Sequence, residues 1–418
     1  MHGSTKLIKG GFLIDGSGRD PIENASISIG QDGRIDYVGD SYRNNKYEDI
    51  IDLEGRTLMP GMIDCHVHFF VDLKPLQELE LDPPSLRIVR AVKNARDTLD
   101  AGITSVRDTG GTPLGFKMAI EQGLIQAPRT KISVSVLSQT GGHTDFLLPS
   151  GNMHPLLPTG NSLDWPKAVC DGVDEVRKVT RKVLRAGADF IKLCSTGGVL
   201  SPSDEPHSTQ FTIEEIKTMV YEAAAQGKTC AAHAQGTEGI KNAVLSGVKS
   251  IEHGVYLNEE VIDEMNLRGT FLVPTLVPPL WIERMDRDDP GSVLPQSLRK
   301  ARKIQEDHAT TFKQAVESGV KIAFGTDSGV APHGKNLEEL VLMVKNGMTP
   351  MQAIESATRV ASECVGIESD VGTLQVGKYA DLIVLDGNPL EDISIMSKKT
   401  TIRMIMQEGV EYKNSLLN

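Results

Sequence analysis

Five times in the middle of the chain a helix-like stretch ends in glycine and passes at once into a short apolar run: LDAGITSV (99–106), LRAGADFI (184–191), AAAQGKTC (223–230), VLSGVKSI (244–251) and ESGVKIAF (317–324). Glycine closes a helix by adopting the left-handed conformation just past its C-terminus, so each instance reads as the junction between a helix and the strand it feeds. A chain punctuated in this way builds repeated βα units and a parallel sheet. Eight strand candidates follow, at 62–68, 103–108, 131–136, 190–194, 229–234, 250–254, 271–276 and 321–327. Eight units fit a (β/α)8 TIM barrel, an α/β fold. A doubly wound open sheet is the alternative, but it accounts less well for chemistry at so many strand ends.

The flanks read differently. Residues 5–58 break into β-rich runs such as LIKGGFLID, ASISIG and RIDYVG, and the tail segments VGTLQVGKYADLIVLDGNP and TIRMIMQEGVEYKN alternate apolar and polar residues around turns. A chain of 418 residues has room for one large core and one small one. The expected arrangement is a small β-sandwich domain assembled from residues 1–59 and 366–418, with the barrel at 60–365. Two long connections, 144–170 and 277–300, follow barrel strands and are expected on the face where such barrels bind ligands.

The net charge of −12 argues against nucleic acid or an anionic membrane as a partner. No apolar run reaches the roughly 18 residues that a spanning helix needs, and the first twenty residues offer no stretch for a signal peptide. Five scattered cysteines, Cys65, Cys170, Cys194, Cys230 and Cys364, form no CxxC pair. That points away from a disulfide framework and a cysteine zinc site, and towards a reducing cytoplasm.

The informative feature is where the titratable residues fall. His66 and His68 close the first strand, and alternation puts both imidazoles of a His-x-His on one face, which is the interior in a barrel. Lys192 lies inside the apolar run DFIKLC. His233, His253 and Asp327 close the fifth, sixth and eighth strands. Each residue alone has an ordinary structural explanation; together they would be six accidents at one end of one barrel. Imidazoles and a carboxylate suit a divalent transition metal, with zinc the default. Six ligands are too many for one tetrahedral ion and about right for two ions, which sit roughly 3.5–4 Å apart around a shared ligand. A buried lysine loses its proton readily, and the neutral amine can add carbon dioxide to give a carbamate, a carboxylate able to bridge both ions.

With these residues in view, the chain resembles the amidohydrolase superfamily over nearly all its length. The segment PGMIDCHVH (60–68) is its most specific mark. ADFIKLCSTGG (188–198), AAHAQG (231–236), SIEHG (250–254), FGTDSG (324–329) and the tail VGTLQVGKYADLIVLD (371–386) follow in the family's order. The resemblance implies that His66, His68 and Asp327 hold the more buried metal, that His233 and His253 hold the other, and that carboxylated Lys192 bridges them. It also implies a homo-oligomer.

Asp327, touching both metal and hydroxide, is placed to take the proton and pass it to the leaving amine. His143, ending SQTGGH just after the third strand, is expected to steady the oxyanion. His333 in APHGKN is a pocket candidate, and a substrate carboxylate would want Tyr256, Arg284 or Arg287. His2, His154, His207 and His308 lack a strand-end setting and are expected at the surface. Within the superfamily the motifs resemble metal-dependent dipeptidases and carboxypeptidases, both prolidase-like and Xaa-Arg/Lys types. Gln235 stands where prolidase-like members carry tyrosine, which weakens a proline-specific reading. The expected reaction is hydrolysis of an amide bond in a dipeptide or N-acyl amino acid. The rivals are a cyclic amidase or a urea or carbamate hydrolase with the same site, a mononuclear deaminase, and a non-catalytic binding protein. The deaminase is disfavoured by Lys192 and by Gly236 at the position where glutamate is usual.

Overall fold

The computed structural model describes residues 5–40, 47–148, 150–158, 162–201 and 204–416; His2 lies outside them. Strands from both ends of the chain share one eight-stranded sheet, ordered Val410–Asn414, Ile402–Gln407, Leu382–Leu385, Thr57–Pro60, Lys6–Leu13, Ile22–Ile29 and Ile35–Gly39, with Asp49–Asp52 also paired to Lys6–Leu13. Alternating apolar residues of these strands, among them Ile8, Ile27, Leu58, Leu382, Val384 and Met404, bury one another in a cluster separate from the main core.

Gly61 links this sheet to the parallel strands. A Cβ there would lie 2.2 Å from Thr104 Oγ1, so only glycine lets the two backbones pass. Met62–Val67 pairs in parallel with Ile103–Asp108, which pairs with Arg129–Ile132. A second parallel set runs Val136–Leu137, Ile191–Cys194, Cys230–Ala234, Ser250–His253 and Phe271–Val273. Asp189 ties the two sets: its N–H donates to Ile132 O at 2.7 Å and its carboxylate accepts from Ile132 N at 2.9 Å. The strand expected at 131–136 is split because Val134 takes a left-handed φ of 65°.

The eighth segment, 321–327, makes bridges rather than a continuous strand. Ala323 N donates to Leu272 O, Cys65 N to Phe324 O and Asp327 N to His66 O, so the segment contacts both the last and the first of the parallel strands. Two features explain the irregularity. Gly325 passes so close to Val273 that a Cβ would lie 2.3 Å from its Cγ1, and Asp327 has a φ of 53°. Asp64 compensates. Its carboxylate accepts from the backbone of His66 and Thr326 at 3.1 Å, and from Thr326 Oγ1 at 2.6 Å and Asn336 Nδ2 at 2.8 Å.

The connection at 144–170 carries one antiparallel bridge, Leu147 to Met153, and no helix among its described residues. The connection at 277–300 is not a loop. It holds the helix Val277–Asp288 and the start of Pro295–Glu317. Pro278 and Pro279 stand in the first turn of Val277–Asp288, where proline is tolerated because the N–H has no partner within the helix. Glu339 caps that turn, accepting from Leu276 N at 2.7 Å and Val277 N at 2.9 Å. Burial pushes its carboxyl up to about 8. An acid whose pKa is raised on folding stabilises the fold fully below its unfolded pKa, and that contribution fades as pH rises through the folded value. Wild-type thermal stability should therefore fall between pH 5 and 9 relative to Glu339→Gln. Parallel melting curves over that range would refute this assignment.

Candidate active site

Five imidazoles form a continuous chain through the centre of the parallel strands. Ring centroids lie 5.3 Å apart for His68 and His66, 5.1 Å for His66 and His253, 4.6 Å for His253 and His233, and 4.1 Å for His233 and His143, the last pair stacked. Asp327 Oδ1 is 3.5 Å from His66 Nε2 and 3.3 Å from His68 Nε2. One ligand atom from each of these three residues lies within 4.8 Å of the other two. Lys192, His233, His253 and Asp327 line the same cavity as His66 and His68. Two of its strand-end residues carry unfavourable backbone: His253 at φ 74° and Asp327 at φ 53°. Strain of this kind is held in place by surrounding structure and concentrates at functional sites.

Outer partners fix which nitrogen each ring offers. A carboxylate only accepts, so Glu252 Oε2, 2.9 Å from His66 Nδ1, puts the proton there and leaves Nε2 free. Gly110 O holds the proton of His68 on Nδ1 at 2.9 Å, and Nε2 of that ring faces Thr109 Oγ1 at 3.2 Å. Gly197 O, 3.0 Å from His233 Nε2, leaves Nδ1 free on that ring. Glu252 is itself clamped by Arg107 Nη2 at 2.7 Å and Ser250 Oγ at 2.5 Å, and Arg107 Nε donates to Cys65 O at 2.7 Å. Burial holds His66, His233 and His253 well below the ordinary histidine range, so all three are neutral. Burial works the same way on His68, but Asp327 outweighs it and raises that ring. Burial also lowers Lys192, against the opposing pull of Glu252.

His143 lines the cavity, as expected. Burial pushes its pKa down to about 3, so the ring is neutral. Its Nδ1 lies 2.9 Å from Ser201 Oγ, and that hydroxyl donates to Asp204 Oδ1. The serine proton is thus committed, the His143 proton sits on Nδ1, and Nε2 is an acceptor. Steadying an oxyanion calls for a donor, which the ring becomes only when protonated. Lys300 holds this loop, its Nζ donating to the carbonyls of Gly198, Ser201 and Asp204 at 2.7, 2.6 and 3.0 Å.

His308 is buried rather than at the surface. It lines the cavity, and its Nε2 donates to His253 O at 2.9 Å. His207 is exposed and His154 half-buried. His333 bonds Thr98 Oγ1 at 2.9 Å and His68 O at 3.1 Å, bracing the first strand end from behind. Tyr256 stacks on His207, Arg284 pairs with Glu338, and Arg287 pairs with Asp288. None of these four is among the described residues lining the cavity, and those include no arginine or tyrosine. The remaining walls are apolar, including Val71, Val136, Phe146, Leu200, Ile282 and Ile304. Gln235 faces them, its buried Oε1 without a hydrogen-bond partner among the described residues.

The profile of the amidohydrolase family matches residues 57–411. The chain belongs to the amidohydrolase family. It is an enzyme, a hydrolase acting on amide bonds, with the α/β fold of its amidohydrolase neighbours. It is 35% identical over 421 residues to the ochratoxinase of Aspergillus niger, covering 97% of this chain and 86% of that one. A solved Xaa-Pro dipeptidase with bound methionine superposes with a TM-score of 0.88 at 35% identity, over 98% of this chain and 100% of that one. A prolidase complexed with N-methylphosphonate-L-proline gives 0.88 at 34% identity, over 98% and 99%. These neighbours place the amidohydrolase chain in the superfamily's peptidase branch.

Proposed function

We propose that this amidohydrolase is a binuclear metal-dependent enzyme that cleaves the amide bond of dipeptides or N-acyl amino acids. The reading includes a closed (β/α)8 barrel at 60–365 and a composite β-sandwich from 1–59 and 366–418. The convergence of His66, His68, Lys192, His233, His253 and Asp327 on one apolar cavity supports it. The donor set fits metal: imidazoles whose other ring nitrogen is held by Glu252, Gly110, Gly197 and, for His253 Nδ1 at 2.7 Å, Thr275, beside a carboxylate. His66, His68 and Asp327 would hold one ion, His233 and His253 the other, and carboxylated Lys192 both. The chemistry such a pair of ions would supply when bound is a hydroxide at neutral pH and polarisation of the scissile carbonyl.

The chain's own residues do the rest. Asp327 accepts the proton at Oδ1 and delivers it to the leaving nitrogen. His143 offers Nε2 to a substrate N–H. The apolar walls exclude water. Among the described residues no arginine or tyrosine lines the cavity, which favours a second reading, a neutral cyclic amide, urea or carbamate. The test pairs metal content by plasma mass spectrometry with turnover of a mixed dipeptide and N-acyl amino acid library, before and after chelation. About two metals per chain and chelator-sensitive turnover are expected. Two metals without turnover would move the substrate to the neutral class; one metal would overturn the binuclear site.

A further inference from the structure

Beside the cavity over the histidines lies a second chamber of about 500 Å³, within the usual size of small-molecule sites. It shares Val136, Thr144, Phe146 and Leu157 with the first cavity, so the two adjoin across these side chains. Its further walls come from Val134, Leu147, Met153, Pro158 and Pro166, in or next to the 144–170 connection. Two charged side chains also line it, Lys167 and Asp145, the latter accepting from Gly141 N at 2.8 Å. Leu147 and Met153 are 54% and 43% exposed, yet they bridge one another backbone to backbone. Large apolar side chains held in a fixed turn at the lip of an apolar cavity mark a surface that gains from being covered.

We infer that this chamber receives a bulky, uncharged apolar acyl group of the substrate, which makes N-acyl amino acids with long alkyl or aryl acyl chains the preferred class over dipeptides with a free ammonium. The inference rests on the amide-hydrolase reading and narrows it. The shared wall sets the chamber beside the reacting cavity, on the side to which an acyl group extending from the scissile carbonyl would reach. A free ammonium would lose its water there against mostly apolar walls and would meet the like charge of Lys167 as well as Asp145. Each methylene buried should raise kcat/KM by roughly two- to fourfold.

The test is a series of N-acyl-leucines: acetyl, butanoyl, octanoyl and 8-aminooctanoyl. The octanoyl substrate, six methylenes longer, should exceed the acetyl one in kcat/KM by about 60-fold or more, and the terminal ammonium of the 8-aminooctanoyl substrate should cancel the gain. In Met153→Asp the octanoyl-to-acetyl ratio should fall towards one. In Leu124→Asp, a change at a 76% exposed site outside both cavities, the ratio should hold. A flat series, or a ratio untouched by Met153→Asp, overturns the chamber while leaving the hydrolase reading intact. If no member is hydrolysed, that reading fails, and calorimetry with octanoate decides the chamber. Tenfold weaker binding to Met153→Asp supports it; equal binding overturns it.

Discussion

Replacing Lys192 by alanine should lower kcat/KM by about a thousandfold or more, the scale on which removing one charge-stabilising group at a reacting centre acts, and should strip metal from the protein. Lys192 lies in Ile191–Cys194, flanked in parallel register by Val136 and Ala231. It is 3% exposed and has no carboxylate within ion-pairing distance among the described residues. Burial favours its neutral amine. That nitrogen can form a bond to the carbon of carbon dioxide and release a proton, yielding a carbamate where a lysine ammonium would repel cations. Lys192→Met keeps the apolar volume and should fail as badly as alanine, separating charge from packing. A carbamate carbon resonance after equilibration with ¹³C-bicarbonate, absent in both variants, would report the adduct without reference to turnover. Unchanged metal content with activity within tenfold of wild type would sink the bridging role.

Glu252→Ala should destabilise the metal-free protein by about 3–5 kcal/mol, the usual consequence of removing one partner from a buried ion pair. The change leaves Arg107 buried without its carboxylate and frees His66 Nδ1. Metal affinity should drop a further 10–100-fold or so, because the ring loses the group that fixes its tautomer. Replacing both partners, Arg107→Met with Glu252→Leu, should recover much of the stability and none of the affinity. Denaturant unfolding after chelation reads the first quantity, and competition with a chromophoric chelator reads the second. A single variant within about 1 kcal/mol of wild type would contradict the account of the pair as mutually dependent.

Much of the site was legible because its residues carry local signals. His66 and His68 share a face by alternation, and the helix–glycine–strand junctions told the strands apart. His308 was missed although a signal existed. Ala301, Ile304, His308, Thr311, Phe312 and Ala315 recur at three- and four-residue spacing, and all are buried. A histidine on that stripe belongs inside. Lys300 adjoins the same stripe. Glu252 and Arg107 gave less warning. They meet across space from separate strands, 145 residues apart, and nothing in SIEHG or ITSVRD announces the partner. The helix inside the 277–300 connection gave little warning, because proline both breaks helices and begins them, and the capping group, Glu339, comes from a helix some sixty residues later.

The helix Pro295–Glu317 carries Lys300 under the loop that orients His143, Ile304 in the cavity wall, and His308 against the carbonyl of His253. Three separate fittings therefore depend on one helical phase. Inserting a single residue between 300 and 308 would rotate everything beyond it by about 100°, so that Lys300 and His308 could no longer keep their contacts at the same time. Lineages descending from such a scaffold would be free to lengthen or rewrite the 144–170 connection, while this rod admits substitutions but no change of length. New substrate preferences should accordingly arise from the first segment and leave the second frozen.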